Sequence, residues 1–259
     1  MIEKKINYCW FGGNEKSEII QKCIKSWQKY CPDYEIIEWN ESNFDVNLCK
    51  YTKDAYKNKK WAFVSDVARL WVIYNNGGIY LDTDVELFSS LDELLKYDAW
   101  FASDDIKYVA TGLGFGAKKD NMLVKKMLED YYIREFDVTP CPVLNTKIIF
   151  DTVKDFKRTY DNQIIDNMLF LSSFGYAKYA KHYYTFTYGT EEQRKKHQER
   201  KQKCSPLKWK LRCKLRNPKL INYVEDNKDK LISKIYTFLV YDLIDYGLMY
   251  YIKRFLKKC

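Results

Sequence analysis

An α/β layered sheet is the fold class this sequence predicts, and three observations predict it. Short apolar runs of strand length alternate with stretches of helical periodicity, Gly and Asn clusters punctuate them, and no internal repeat or low-complexity linker interrupts the order. The first strand, Ile6-Asn7-Tyr8-Cys9-Trp10-Phe11, runs into a Gly12-Gly13 turn. Ser17 to Tyr30 reads as a helix and Tyr34 to Trp39 as a strand. Lys59 to Asn76 is a longer helix, with Ala62, Val64, Val67, Ala68, Leu70, Trp71, Ile73 and Tyr74 giving it a broad apolar surface that Asn75-Asn76-Gly77-Gly78 ends. A strand from Ile79 to Leu87, a short helix near Leu91 to Leu95 and strands around Ala99 to Ala102 and Gly112 to Ala117 follow, with a helix from Asn121 to Glu135.

Composition bounds what such a chain can be. With 259 residues, 46% of them hydrophobic, it can bury the core of one large α/β domain with an appendage, and it is not disordered by composition. Eight cysteines contain no C-x2-C or C-x4-C pair, which implies neither a zinc site nor a disulfide framework and favours a reducing compartment. Met1-Ile2-Glu3-Lys4-Lys5 leads straight into the first strand without an apolar signal segment, so the expected location is the cytoplasm.

Charge marks a boundary. Residues 190–259 hold 19 basic and 8 acidic residues, whereas the part before them is near neutral, with 25 basic and 27 acidic. The expected organisation is therefore a catalytic domain at 1–189 and a basic, mainly helical extension at 190–259. The extension is read as a solvated helical face or as a surface that meets anionic membrane on the acceptor side. No nucleic-acid partner is expected, because no reading motif accompanies the charge. Lys234, Asp242 and Asp245 break its apolar stretch, which is too short to span a bilayer.

The most informative segment is Gly77-Gly78-Ile79-Tyr80-Leu81-Asp82-Thr83-Asp84-Val85-Glu86. On a strand, side chains two apart share a face, so Asp82 and Asp84 would address one cation together. Mg2+ or Mn2+ held by carboxylates keeps positions open for diphosphate oxygens. An acidic-x-acidic triplet arises by chance about four or five times in a chain this acidic, so context must carry the reading. Upstream, Asp66 and Arg69 lie three apart on one helix face, where a surface ion pair is the plain interpretation. Their nearly all-apolar flanks argue for a pairing that burial requires.

Together, Ala62-Phe63-Val64-Ser65-Asp66-Val67-Ala68-Arg69-Leu70 and Gly77 to Val85 resemble the glycosyltransferase sugar-binding region containing the DXD motif, the signature of family 32 glycosyltransferases. That family includes bacterial capsule-type enzymes and Och1-like mannosyltransferases. The likeness extends to Ile6 through Gly13 and to Tyr34 through Asn40 as first and second strands. More weakly, Ala180 to Tyr188 is similar to the family's His-His-x-x-x-Ser-Trp loop, with Tyr183, Thr187 and Tyr188 in place of the second His, the Ser and the Trp.

The resemblance implies a GT-A fold, Rossmann-like, with a mostly parallel central sheet and flanking helices. It also implies a retaining transfer of a hexose from a nucleotide-diphosphate sugar, UDP-sugar favoured, to a glycan or lipid-linked acceptor in surface polysaccharide synthesis. Mn2+ or Mg2+ would sit on Asp84 directly, with His182 as a further ligand, and Asp82 would contact it through water or hold the ribose. Asp66 would accept bonds from sugar hydroxyls and Arg69 would face the phosphates or the sugar. Tyr8, Trp10, Ser65, Tyr80, Thr187 and Tyr188 would contact the nucleotide, Trp10 and Ser65 at its base and ribose. Two other readings stay open: a haloacid-dehalogenase-like phosphohydrolase, although Glu86 stands where that motif places Thr or Val, and a non-catalytic membrane-associated scaffold.

Overall fold

The computed structural model describes residues 1–104, 107–159 and 161–185. The extension at 190–259, with its expected helices, lies outside them, as do Thr187 and Tyr188. In chain order the elements are β1 (Lys5–Cys9), α1 (Glu18–Tyr30), β2 (Glu35–Trp39), α2 (Lys50–Lys57), α3 (Trp61–Asn76), β3 (Gly78–Tyr80) and β4 (Val85–Leu87). There follow a 3-10 turn (Asp92–Leu94), β5 (Ala99–Ala102), β6 (Phe115–Ala117), α4 (Met122–Ile133), α5 (Cys141–Thr152), β7 (Gln163–Ile165), β8 (Met168–Leu171), α6 (Ser173–Tyr176) and β9 (Ala180–His182).

Seven strands form one sheet in the order β2-β1-β3-β6-β5-β8-β7. It is mixed: β2-β1-β3 and β5-β8 are parallel, and the remaining neighbours are antiparallel. The Rossmann-like character expected of the chain is thus concentrated in the β2-β1-β3 half, whose C-terminal edge delivers Trp10 and the acidic pair.

Strand alternation sorts the buried residues into two cores. Tyr80, Phe101, Phe115 and Phe170 belong with Val64, Val67, Ala68 and Leu70 of α3. Ile79, Trp100, Leu169 and Leu171 belong with Trp27 of α1. Across the sheet Phe101 stacks on Phe115 at 5.9 Å and on Phe170 at 5.6 Å, aromatic pairs worth about 0.5–1.5 kcal/mol each beyond the area they bury. Helix α3 is buried on most sides because both α2 and α4 pack on it. It stops at Gly77, whose φ of 67° is left-handed and whose N–H donates to the Ile73 carbonyl at 2.9 Å.

One expectation needs correction. The strand expected from Ile79 to Leu87 is two strands in two sheets: β3 ends at Tyr80, Asp82 to Val85 form a turn closed by the Val85 N–H on the Asp82 carbonyl at 3.0 Å, and β4 pairs antiparallel with β9. Asp82 and Asp84 are therefore brought together by a turn and not by strand alternation. The cause lies in α1, which covers the other edge of β4 as a third strand would. The Trp27 indole N–H donates to the Val85 carbonyl at 2.7 Å and the Ser26 hydroxyl accepts the Leu87 N–H at 2.9 Å. Backbone groups buried there must be satisfied, and helix side chains satisfy them. Among the described residues no helix is long and apolar enough to cross a membrane.

Candidate active site

Helix α3 supplies the positive centre. Arg69 Nη2 lies 3.2 Å from Asp66 Oδ1 and 3.1 Å from Asp82 Oδ1, its Nε donates to the Ser65 carbonyl at 3.2 Å, and the guanidinium sits 4.9 Å above the Tyr80 ring. The arginine side chain is 4% exposed, so the Asp66–Arg69 pair is a buried one and not a surface pair. Tyr80, itself buried, donates its hydroxyl to Asp82 Oδ1 at 3.0 Å. Gly112 lets the facing segment come this close: its carbonyl accepts the Asp82 N–H at 3.1 Å, and a Cβ there would stand 2.3 Å from Asp82 Oδ2 and 3.0 Å from Arg69 Nη1.

The turn and strand β9 supply the negative centre. His182 Nε2 meets Asp84 Oδ1 at 2.8 Å, and Thr185 donates both its N–H and its hydroxyl to Oδ2 at 2.8 and 2.9 Å. The pairing Val85↔His182 and the Tyr183 N–H on the Asp84 carbonyl at 2.9 Å hold this register. Between them Tyr184 takes a left-handed φ of 50°, which turns the chain so that Thr185 faces Asp84. The Tyr184 ring lies against the His182 imidazole with centroids 4.1 Å apart, and its hydroxyl donates to Asp104.

These surroundings set the proton balance. Burial pushes the Asp66 carboxyl up to about 6, against the pull of the Arg69 charge. Burial likewise raises Asp82, opposed by Arg69 and His182. For Asp84 burial acts upward too, but the bond from His182 and the two from Thr185 outweigh it and hold the group at about 2. Burial disfavours the imidazolium of His182, yet its bond to Asp84 and the charge of Asp82 raise its pKa above the ordinary value. Asp84 is thus ionised across the physiological range.

Asp82, Asp84 and His182 each offer a ligand atom within 4.8 Å of the others. The donor set fits a divalent cation. Two carboxylates give hard oxygens, and His182 Nε2, which faces Asp84 Oδ1 at 2.8 Å, offers a nitrogen lone pair to a metal once that nitrogen is deprotonated. The Asp82 side chain, 27% exposed, provides the open side.

The other expected contacts fall in two groups. Trp10 is half-buried at the end of β1, its indole N–H donating to the Asn14 carbonyl at 2.7 Å and the Lys16 ammonium 5.5 Å from its ring. Ser65 is half-buried one turn before Arg69, its hydroxyl donating to the Trp61 carbonyl at 3.1 Å. Tyr8 and Tyr80, expected at the nucleotide, are turned inward: Tyr8 packs on Trp27 and donates to Glu38 at 2.6 Å, and Tyr80 supports Asp82. Sequence reasoning missed Thr185, Tyr184 and Gly112. It also missed a buried polar row in which Arg69 Nη1 donates to Cys141 Sγ at 3.5 Å and Asn145 Nδ2 to the Thr111 hydroxyl at 2.8 Å.

Residues 17–101 match the family described as the glycosyltransferase sugar-binding region containing DXD motif. Inositol phosphoceramide mannosyltransferase 3 of Schizosaccharomyces pombe (strain 972 / ATCC 24843) is 33% identical over an alignment of 111 residues, and the match covers 38% of this chain and 29% of that protein's length. Among solved structures, the PaToxG glycosyltransferase superposes with a TM-score of 0.49 at 19% identity, over 59% of this chain and 70% of that one. A glycosyltransferase involved in glycosylation of the major capsid of PBCV-1 gives 0.42 at 12% identity, over 75% and 98%.

Proposed function

We propose that this chain, whose residues 17–101 carry a glycosyltransferase sugar-binding region with the DXD motif, is a divalent-metal-dependent, retaining glycosyltransferase. It moves a hexose from a nucleotide-diphosphate sugar to a hydroxyl of a glycan or lipid-linked glycan. The observation that carries this reading is the meeting of Asp82, Asp84 and His182 beside the Arg69 guanidinium, at the edge of the sheet where β1 and β3 end. When bound, Mn2+ or Mg2+ would spread the negative charge that grows on the departing diphosphate, a contribution of several kcal/mol. A nitrogen among its ligands favours Mn2+ over Mg2+.

The chain's own groups do the rest. Arg69, pinned by Asp66 and Asp82, presents a fixed positive charge toward the phosphates or the sugar. Asp66 orients sugar hydroxyls, and Trp10 with Ser65 receives the base and ribose, a flat aromatic face being suited to stacking. Thr187 and Tyr188, outside the described residues, are assigned a contact with the diphosphate on sequence likeness alone. In a retaining transfer the acceptor approaches the face that the diphosphate leaves, and a leaving phosphate oxygen takes its proton. Against a phosphohydrolase stands Glu86, at the place where that motif has Thr or Val.

A UDP-hexose is the first donor to test, and the name of the yeast relative adds mannose to the sugars and a lipid head group to the acceptors. The basic region 190–259 serves as the extension that holds the enzyme at the inner face of the plasma membrane, where acceptors for surface polysaccharide are made. Unchanged sedimentation with anionic vesicles after its deletion rejects that role. The main test is a panel of UDP- and GDP-sugars assayed for Mn2+-dependent hydrolysis. Turnover of at least one donor is expected, with loss in Asp84→Ala at preserved folding. Retained hydrolysis in that variant, or turnover of simple phosphate esters instead, rejects the assignment.

A further inference from the structure

Beside the metal ligands lies a second cluster that the transfer reaction does not use. Lys22 of α1 sits 2.8 Å from Glu86 Oε1 and 3.1 Å from the Tyr183 hydroxyl, and that hydroxyl donates to Glu86 Oε2. Two ammonium groups approach the Tyr183 ring, that of Lys181 at 4.6 Å and that of Lys22 at 5.5 Å from the centroid. Lys22 stands one helical turn before Ser26, so the three residues prolong the row by which α1 grips β4.

We infer that Lys22, Glu86 and Tyr183 form a positioning latch that fixes the end of β9, keeping His182 and Thr185 on Asp84 in the geometry a cation requires. Three observations lead there. Tyr183 is the residue between the β9 ladder and the turn, and it is held twice, by its N–H on the Asp84 carbonyl and by its hydroxyl on Glu86. The ladder it ends has only three residue pairs, and so short a two-stranded ribbon does not hold its register unaided. Directly after it, Tyr184 adopts a left-handed backbone that a tyrosine takes only where its surroundings impose it. Glu86 carries the constraint across the ladder, opposite Lys181 and two residues from Asp84.

The inference rests on the metal reading above, and its test separates the two. Mn2+ affinity of the full chain is measured by titration calorimetry, with metal-free melting temperature alongside, for the wild type, Tyr183→Phe and Lys22→Met. Tyr183→Phe removes one O–H without changing charge. Lys22→Met removes a positive charge, which through Coulomb effects alone would tighten binding of a cation. Both variants are expected to bind Mn2+ about tenfold more weakly, the lower end of the loss caused by removing outer-sphere partners. Their melting temperatures should stay within about 2 °C of the wild type, since an ion pair whose lysine side chain is 56% exposed adds little to global stability. Wild-type affinity in Tyr183→Phe, tighter binding in Lys22→Met, or weaker binding with a melting temperature lowered by more than about 4 °C overturns the latch. A wild type that binds no Mn2+ overturns the metal reading itself.

Discussion

Replacing Arg69 by Met tests the electrostatic frame of the site most directly. The guanidinium is buried between two carboxylates, Asp66 at 3.2 Å and Asp82 at 3.1 Å, and methionine fills much of its volume without its charge. Removing one partner of a buried ion pair typically costs about 3–5 kcal/mol, because the other charge is left uncompensated. Here the Asp66 side chain is 10% exposed and bears most of that cost, while Asp82 has a path to water. The cost should depend on pH with a definite sign. Asp66 titrates at about 6 even with Arg69 present, above the value of about 3.9 in an unfolded chain, and losing the arginine raises it further. Between the two values the folded state binds more protons, so stability falls as pH rises through that window. Urea unfolding of the metal-free protein is expected to show a loss of about 3–5 kcal/mol at pH 8 and a clearly smaller one at pH 5. Asp66→Asn/Arg69→Met should recover much of the loss at pH 8. A single variant within about 1 kcal/mol of wild type at pH 8, or a loss equal at both pH values, refutes the reasoning.

Gly112→Ala is expected to reduce donor hydrolysis at least tenfold while costing about 1–3 kcal/mol of stability, since its methyl would displace Asp82 Oδ2 from 2.3 Å; steady-state kinetics with urea unfolding checks both. Asp84 carries a second pH dependence of opposite sign. Its pKa of about 2 lies below the unfolded value, so its contribution, on the order of 2 kcal/mol, is fully present above about pH 4 and is lost as pH falls toward 2. Acid unfolding followed by circular dichroism should show this limb, and Asp84→Asn should flatten it.

Helix α3 was legible because its apolar surface is nearly continuous and a Gly pair ends it; likewise β1, β2 and β5 are compact apolar runs. Helix α2 was not, because only Tyr51, Thr52 and Ala55 of its eight residues are buried and the rest carry no apolar period. Helix α5 begins at a cysteine and a proline and buries Asn145 and Thr146, polar residues whose partners lie in distant segments. The split of Ile79–Leu87 could not be seen locally either, since the competing partners of β4 are Trp27 and His182. In the candidate site, the motif pointed to Asp66, Arg69, Asp82 and Asp84, but spacing gave neither the turn that joins the two acidic residues nor the burial of the Asp66–Arg69 pair. Thr185 was not, because its hydroxyl acts only after Tyr184 has turned the backbone, and Gly112 matters through the Cβ it lacks.

Thr185 and Asp84 are separated by 101 positions, and His182 by nearly as many, so the candidate site is assembled from the middle and the last thirds of the described chain. During synthesis the acidic turn leaves the ribosome well before the histidine that completes it. On the proposed metal reading, a nascent chain offers only a half-formed, weakly chelating site, and metal capture is a late event in maturation that reports on whether β9 has docked.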